Sequence, residues 1–203
     1  MFEVRGLFTR TQGNCTPVLS KKLGYMDVVS TMGSGDLGRE LDLDAVIESL
    51  ETEFDIESNP YSNSMVTIRL EPGGPAFTLY RTGGYQIRGT DSRETLFEAN
   101  NRLLQALKSI GVEFSDTGFH QNNAVFLENF DTSVQLEALA IHLGLENVEY
   151  EPEQFPGVIY RPSSLETVML VFSSGKSIIT GTTSRETAEE AASHLRDQLR
   201  RLE

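Results

Sequence analysis

Two phenylalanines stand where a soluble chain normally places polar residues. Phe155 lies in Glu151-Pro-Glu-Gln-Phe-Pro-Gly-Val-Ile-Tyr-Arg161 and Phe172 in Val171-Phe-Ser-Ser-Gly-Lys176, each beside a turn at a strand end. A Phe-Pro-Gly turn is a poor place to bury a ring but a good place to present one. On strand alternation, Asn123, Val125, Pro156 and Thr180 share a face with these rings. The set comprises one amide, one hydroxyl, small apolar groups and two wedges. It suits the DNA minor groove, which offers few distinguishing donors and acceptors and whose base steps apolar wedges can unstack. Arg161 and Lys176 flank the wedges, where backbone phosphates would pass. Asn122 competes with its neighbour Asn123 for the inward position.

The elements that must position these residues occur twice. Gly89-Thr-Asp-Ser-Arg-Glu-Thr95 returns as Gly181-Thr-Thr-Ser-Arg-Glu-Thr187, an offset of 92 (181 minus 89). At the same offset Asn59-Pro60 meets Glu151-Pro152, Arg69 meets Arg161, and Gly83 meets Gly175. Each copy reads as strand, helix, four short strands, helix. Leu43, Val46, Ile47 and Leu50 recur at helical spacing, as do Leu136, Leu139, Ala140 and Leu143. The strands that can be placed are 65–70, 76–80 and 85–88, then 158–161, 167–172 and 177–180. Gly83-Gly84 and Ser174-Gly175 supply hairpin turns between them. Capping boxes opening at Asp91 and Thr183 start the last helix of each copy. Apolar stripes follow, at Leu96, Leu103, Leu107 and Ile110, and at Ala188, Ala191, Leu195, Leu199 and Leu202.

A helix buries one stripe, so each copy lays its helices on one face of an antiparallel sheet and leaves the other bare. The expected fold is α+β: two tandem repeats forming one long curved antiparallel sheet, a saddle, with four helices on its convex face. The boundaries are a mobile leader at 1–24, a first repeat at 25–115 and a second at 116–203. Within the leader, Phe2–Phe8 is a candidate edge strand.

The first repeat keeps Arg69 opposite Arg161 but departs from the pattern at the wedge and central positions. Asn63, Ser64 and Met65 replace Phe155-Pro-Gly, Tyr80 replaces Phe172, Arg88 replaces Thr180 and Gly84 replaces Lys176. Opposite Asn123 stands Ser30 if the strands align without a gap, or Asp27 if three residues are inserted. An aspartate there would repel phosphate-rich DNA. Tyr80 can still stack, and Arg88 either reaches phosphate or is solvated.

The net charge is −13, and the 17 basic residues are four lysines and thirteen arginines. A lysine-poor acidic surface fits work in high salt, where the Debye length falls to roughly 3 Å at 1 M. Charge alone equally fits an acidic protein that avoids nucleic acid. No apolar run approaches a membrane span and no signal-peptide layout opens the chain, so the expected location is cytoplasmic, at the nucleoid. Cys15 is the only cysteine, and His120, His142 and His194 are scattered, which leaves no zinc spacing. With no nucleophile–base pair and no phosphate loop either, neither an enzyme nor a cofactor, membrane or small-molecule substrate is expected.

The strings EPEQFPGVIYR, VFSSGK and ITG resemble the second repeat of TATA-box-binding proteins, in the version found in salt-loving archaea. The resemblance spans roughly residues 25–203. It implies a general transcription factor that binds and bends A/T-rich double-stranded promoter DNA through the minor groove and recruits transcription factor B and RNA polymerase. It further implies that Phe155 and Phe172, with Pro156, insert at one end of the site. Asn123 and Thr180 then sit at the central base pairs, and Val125 against the groove floor. Arg69, Arg161, Lys176 and Tyr80 complete the expected DNA contacts, and Glu151 and Glu153 lie in the stirrup that meets transcription factor B. The alternative is a divergent paralogue with weak or lost autonomous DNA binding that acts as a protein-interaction module.

Overall fold

The computed structural model describes residues 26–202. The expected leader and its candidate edge strand at Phe2–Phe8 lie outside the described residues. The first repeat runs β1 (Asp27–Asp36), α1 (Leu43–Glu53), β2 (Glu57–Ser62), β3 (Met65–Arg69), β4 (Ala76–Tyr80), β5 (Gly84–Thr90) and α2 (Arg93–Ser109). The second repeats the order with β6 (His120–Asn129), α3 (Leu136–Leu143), β7 (Val148–Glu149), β8 (Gly157–Tyr160), β9 (Val168–Phe172), β10 (Lys176–Thr182) and α4 (Arg185–Arg200). All ten strands form one antiparallel sheet in the order β2-β3-β4-β5-β1-β6-β10-β9-β8-β7. The repeats join where β1 pairs with β6.

Two hydrophobic cores lie on one face of this sheet, one per repeat. In the second, Leu136, Leu139, Ala188, Ala191 and Leu195 from the helices meet Phe126, Val158, Met169, Val171 and Ile179 from the strands. In the first, Leu43, Leu50, Leu96, Leu103 and Leu107 meet Val66, Ile68, Phe77, Leu79 and Ile87. Alternate strand residues are therefore fixed on the opposite, helix-free face. Among the matched places where the cores differ, one exchanges an aromatic ring for an ion pair. In the first repeat the ring of Tyr85 fills the space beside Gly35, where a Cβ would lie 2.5 Å from its hydroxyl. That hydroxyl donates to Asn100 Oδ1 at 2.7 Å and lies 3.0 Å from Thr117 Oγ1. The second repeat has Ser177 and Glu128 at these two places, and Arg196 Nη2 donates to Glu128 Oε1 at 2.8 Å.

The glycine turns form as expected. Gly83 and Gly175 have φ of 98° and 79°, and a Cβ at either would collide with the carbonyl oxygen of Arg39 or Thr132. Each hairpin tip is thereby docked against the loop that follows the first strand of its own repeat. Other expectations shift. The helix caps fall one residue later than Asp91 and Thr183, at Ser92 and Ser184. Ser92 Oγ accepts from Thr95 N while Thr95 Oγ1 accepts from Ser92 N, both at 3.1 Å, so threonine plays the role assigned to Glu94. Glu94 and Glu186 instead occupy the first helical turns, where a negative charge favours the dipole. Ile110 caps α2 and still packs against the first core, whereas Leu202 lies past α4 and is exposed, so the second stripe stops short of it. The short edge strands β2 and β7 have no legible strand pattern. Among the described residues no helix is long and apolar enough to cross a membrane.

Candidate nucleic-acid interface

At the outer end of the second repeat, a turn closes where Phe155 N donates to Glu151 O at 2.9 Å. It delivers the Phe155 ring to the start of β8, where Gly157 pairs with Phe172. The two rings meet with centroids 5.7 Å apart and planes tilted by 59°. Both are half-buried and neither belongs to the helix-side core. Gly157 makes this possible. A Cβ there would lie 2.8 Å from Val171 O, 3.0 Å from the Phe155 ring and 3.2 Å from the Phe172 ring. Pro156 is exposed beside them.

Near the middle of the sheet, Asn123 Nδ2 donates to Thr180 Oγ1 at 3.0 Å, and Gly181 N donates to Asn123 Oδ1 at 3.1 Å. The amide is thus held in one orientation on the helix-free face. Asn122 sits at a bulge in the β1–β6 pairing and donates instead to Ser34 Oγ at 2.9 Å. Val125 is buried opposite Ser30, and the matching pair across the repeat junction is Met32 opposite Asn123. That correspondence gives the Asn123 position in the first repeat to Ser30, with no inserted residues. Asp27 falls at the start of β1, opposite Leu127, and corresponds to His120.

The same end of the first repeat is built differently. Asn63 is exposed in the β2–β3 turn, and its carbonyl accepts from Arg81 Nε at 2.8 Å. Met65 takes the place of Gly157 and pairs with Tyr80, so a thioether side chain stands where the glycine leaves room for rings. Near the middle, Arg88 replaces Thr180, and its Nη2 donates to Gln86 Oε1 at 3.1 Å.

The cations lie at the margins. Arg161 Nη1 is 2.7 Å from Glu149 Oε1, and Arg69 Nε is 3.9 Å from Glu57 Oε2, a pair at the matching place. Arg69 also donates to Gly74 O. These pairs are solvent-exposed and exchangeable, worth at most about 1 kcal/mol each. Lys176 opens β10 opposite Asn129, next to the hairpin that carries Phe172. Glu151 and Glu153 are exposed on the turn before Phe155, and Glu151 accepts from the Gln154 side chain.

Strand register brings out residues that the sequence reading passed over. Across β8, β9, β10 and β6, Ile159, Leu170, Ile178 and Leu127 pair in one continuous row on the helix-free face. Across β3, β4, β5 and β1, the matching row is Thr67, Thr78, Gln86 and Ser34. Period-2 alternation places each of these residues on a face, but only the pairing reveals the rows.

The arrangement has relatives. The family described as "Transcription factor TFIID (or TATA-binding protein, TBP)" matches residues 26–110 and 118–202, one block for each repeat. TATA-box-binding protein C of Halobacterium salinarum is 44% identical over 179 residues, covering 87% of this chain and 98% of that protein. The TATA-box-binding protein of Haloarcula marismortui is 33% identical over 176 residues, covering 86% and 92%. The solved structure of Methanococcus jannaschii TBP superimposes with a TM-score of 0.72 at 28% identity, covering 89% of this chain and all of that one. The ten-stranded two-repeat sheet, its four helices and these matches together make the chain a member of the TATA-binding protein family.

Proposed function

We propose that the chain is a general transcription factor that binds and bends A/T-rich promoter DNA with the helix-free face of its sheet. The observation that carries this is the Phe155–Phe172 pair seated over Gly157, off the core and at the end of an apolar row. Rings in that position can enter a base step, and the Asn123–Thr180 pair then meets the acceptors of the central base pairs. Arg69, Arg161 and Lys176 approach phosphates at the margins, the two arginines by exchanging a glutamate for a phosphate. Tyr80 stacks more weakly at the other end, and Val125 lies against the floor. The acidic surface is no obstacle. In molar salt the gain from releasing phosphate counterions is small, and apolar and stacking contacts carry more of the affinity. Glu151 and Glu153 offer an exposed acidic turn to transcription factor B, which in turn recruits RNA polymerase.

The glutamates that hold Arg69 and Arg161 favour a second reading, in which the chain acts as a protein-interaction module with little DNA binding of its own. Binding and bending of TATA-containing and scrambled duplexes in molar KCl separates the two. The DNA-binding reading expects tight, bent complexes that Phe155→Ala/Phe172→Ala weakens by about a hundredfold. Wild type and variant equally inert, with transcription factor B still bound, would leave only the interaction module.

A further inference from the structure

We infer that the two halves of the helix-free face accept different base composition: the second repeat takes an A/T half-site, and the first tolerates G·C pairs. The inference rests on the DNA-binding reading above and concerns how that same surface selects its site.

It starts from the two cross-strand rows. The second repeat lines this face with Ile159, Ile178 and Leu127 around a buried Leu170, none of which can hydrogen-bond through its side chain. At the four matching places the first repeat has Thr67, Gln86 and Ser34 with a buried Thr78, all of which can. The polar row is already organised. Thr67 and Thr78 hydroxyls lie 3.0 Å apart, Gln86 Oε1 accepts from Arg88, and Ser34 Oγ accepts from Asn122. Thr67, Gln86 and Ser34 are half-buried and so remain open to a ligand on that face.

In the minor groove an A·T pair shows only acceptors, whereas a G·C pair adds the guanine N2 amino donor. Pressed against an isoleucine–leucine row, that amino group loses its water and finds no acceptor. Against hydroxyl and amide oxygens it finds one, and the same hydroxyls can turn to donate to adenine N3 or thymine O2. The polar row is therefore permissive and the apolar row selective. A site with G·C pairs in one half is bound in one orientation, with the first repeat over them. The protein's direction on the promoter follows from floor chemistry.

The test measures affinity by fluorescence anisotropy in molar KCl for three duplexes: all A/T, G·C pairs in one half, and G·C pairs in both halves. The expected wild-type pattern is non-additive. The first substitution changes Kd by no more than about twofold, and the second costs about tenfold or more. In the Thr67→Ile/Thr78→Leu/Gln86→Ile variant, which copies three of the four residues of the second repeat's row, the first substitution already costs about tenfold while the all-A/T duplex is still bound. Equal stepwise losses in wild type would overturn the inference and leave the DNA-binding reading standing. Failure to bind any duplex, the all-A/T one included, would remove both.

Discussion

At the outer end of one repeat, two phenylalanine rings meet 5.7 Å apart over a glycine; at the matching end of the other, Met65 faces Tyr80 and Asn63 is exposed. The backbone is the same strand–helix–four strands–helix unit in both. Both helix-side cores are closed and mainly apolar, although individual residues are exchanged, Tyr85 in one standing where a Glu128–Arg196 pair lies in the other. The repeats diverge most on the bare face. Residues facing a core are constrained by packing density, whereas those facing a ligand are constrained only by what they must touch. A duplicated fold can therefore keep its architecture and specialise one half.

The largest effect that would break this comparison is on DNA affinity. Phe155→Ala/Phe172→Ala should weaken binding to an A/T duplex by about a hundredfold, at roughly 1–3 kcal/mol per ring. Asn63→Ala/Tyr80→Ala should cost no more than about tenfold. Equal losses in a titration of both variants would mean that the halves are not specialised. The converse exchange sharpens the point. Asn63→Phe/Met65→Gly/Tyr80→Phe should raise affinity by about tenfold and increase the bend read by end-to-end fluorescence transfer. Omitting Met65→Gly should forfeit most of that gain, because the rings need the room that Gly157 provides.

Stability distinguishes the same two positions. Gly157→Ala should destabilise the fold by about 1–3 kcal/mol, since its Cβ meets Val171 O and both rings. Met65→Ala should cost only about 1 kcal/mol, its side chain being half-buried. Chemical denaturation giving equal values would undo the assigned role of the glycine. Nearer the centre, Thr180→Val removes the partner of Asn123 and should weaken binding about fivefold, while Ser30→Ala should stay within about twofold.

The smallest effect concerns the pair that only the second repeat has. Burial raises the Glu128 carboxyl above the ordinary carboxylate value, and Arg196 pulls it partly back. A raised folded value means that the native state holds its proton more tightly than the unfolded chain. Stability from this group is therefore complete below the ordinary range and is lost as pH rises through the raised value. Arg196→Leu, which installs the residue found at the matching Leu104, should steepen that decline, and Glu128→Gln should flatten it. A profile of melting temperature against pH that is unchanged in both variants would dismiss the pair as a titrating element.

Much of this was legible in the residues themselves. The stripe Leu136, Leu139, Ala140 and Leu143 is fully buried as its spacing requires, and the Gly83 and Gly175 turns close the hairpins they announce. Phe155-Pro-Gly and Phe172 fall together, although 17 residues apart (172 minus 155), because adjacent antiparallel strands bring a turn at one end beside the far end of the next strand. Less could be read where two neighbours compete. Ser92 rather than Asp91 caps α2, since both side chains can accept and only the finished turn shows which reaches Thr95 N. Asn123 rather than Asn122 pairs with Thr180, because a bulge in the β1–β6 pairing displaces Asn122 toward Ser34. Strands β2 and β7 were invisible, being edge segments held by a single neighbour with little apolar content.

The residues by themselves determined the duplication, the element order, the two-layer arrangement with one bare face, and the wedge residues that mark it. Each follows from local propensity or from periodicity along the chain, which sequence carries directly. Tertiary structure alone decided what lies beside what across that face. The apolar row from Ile159 to Leu127 and the polar row from Thr67 to Ser34 draw one residue from each of four strands. Register between strands comes from packing, turns and bulges acting together, so no single segment encodes it.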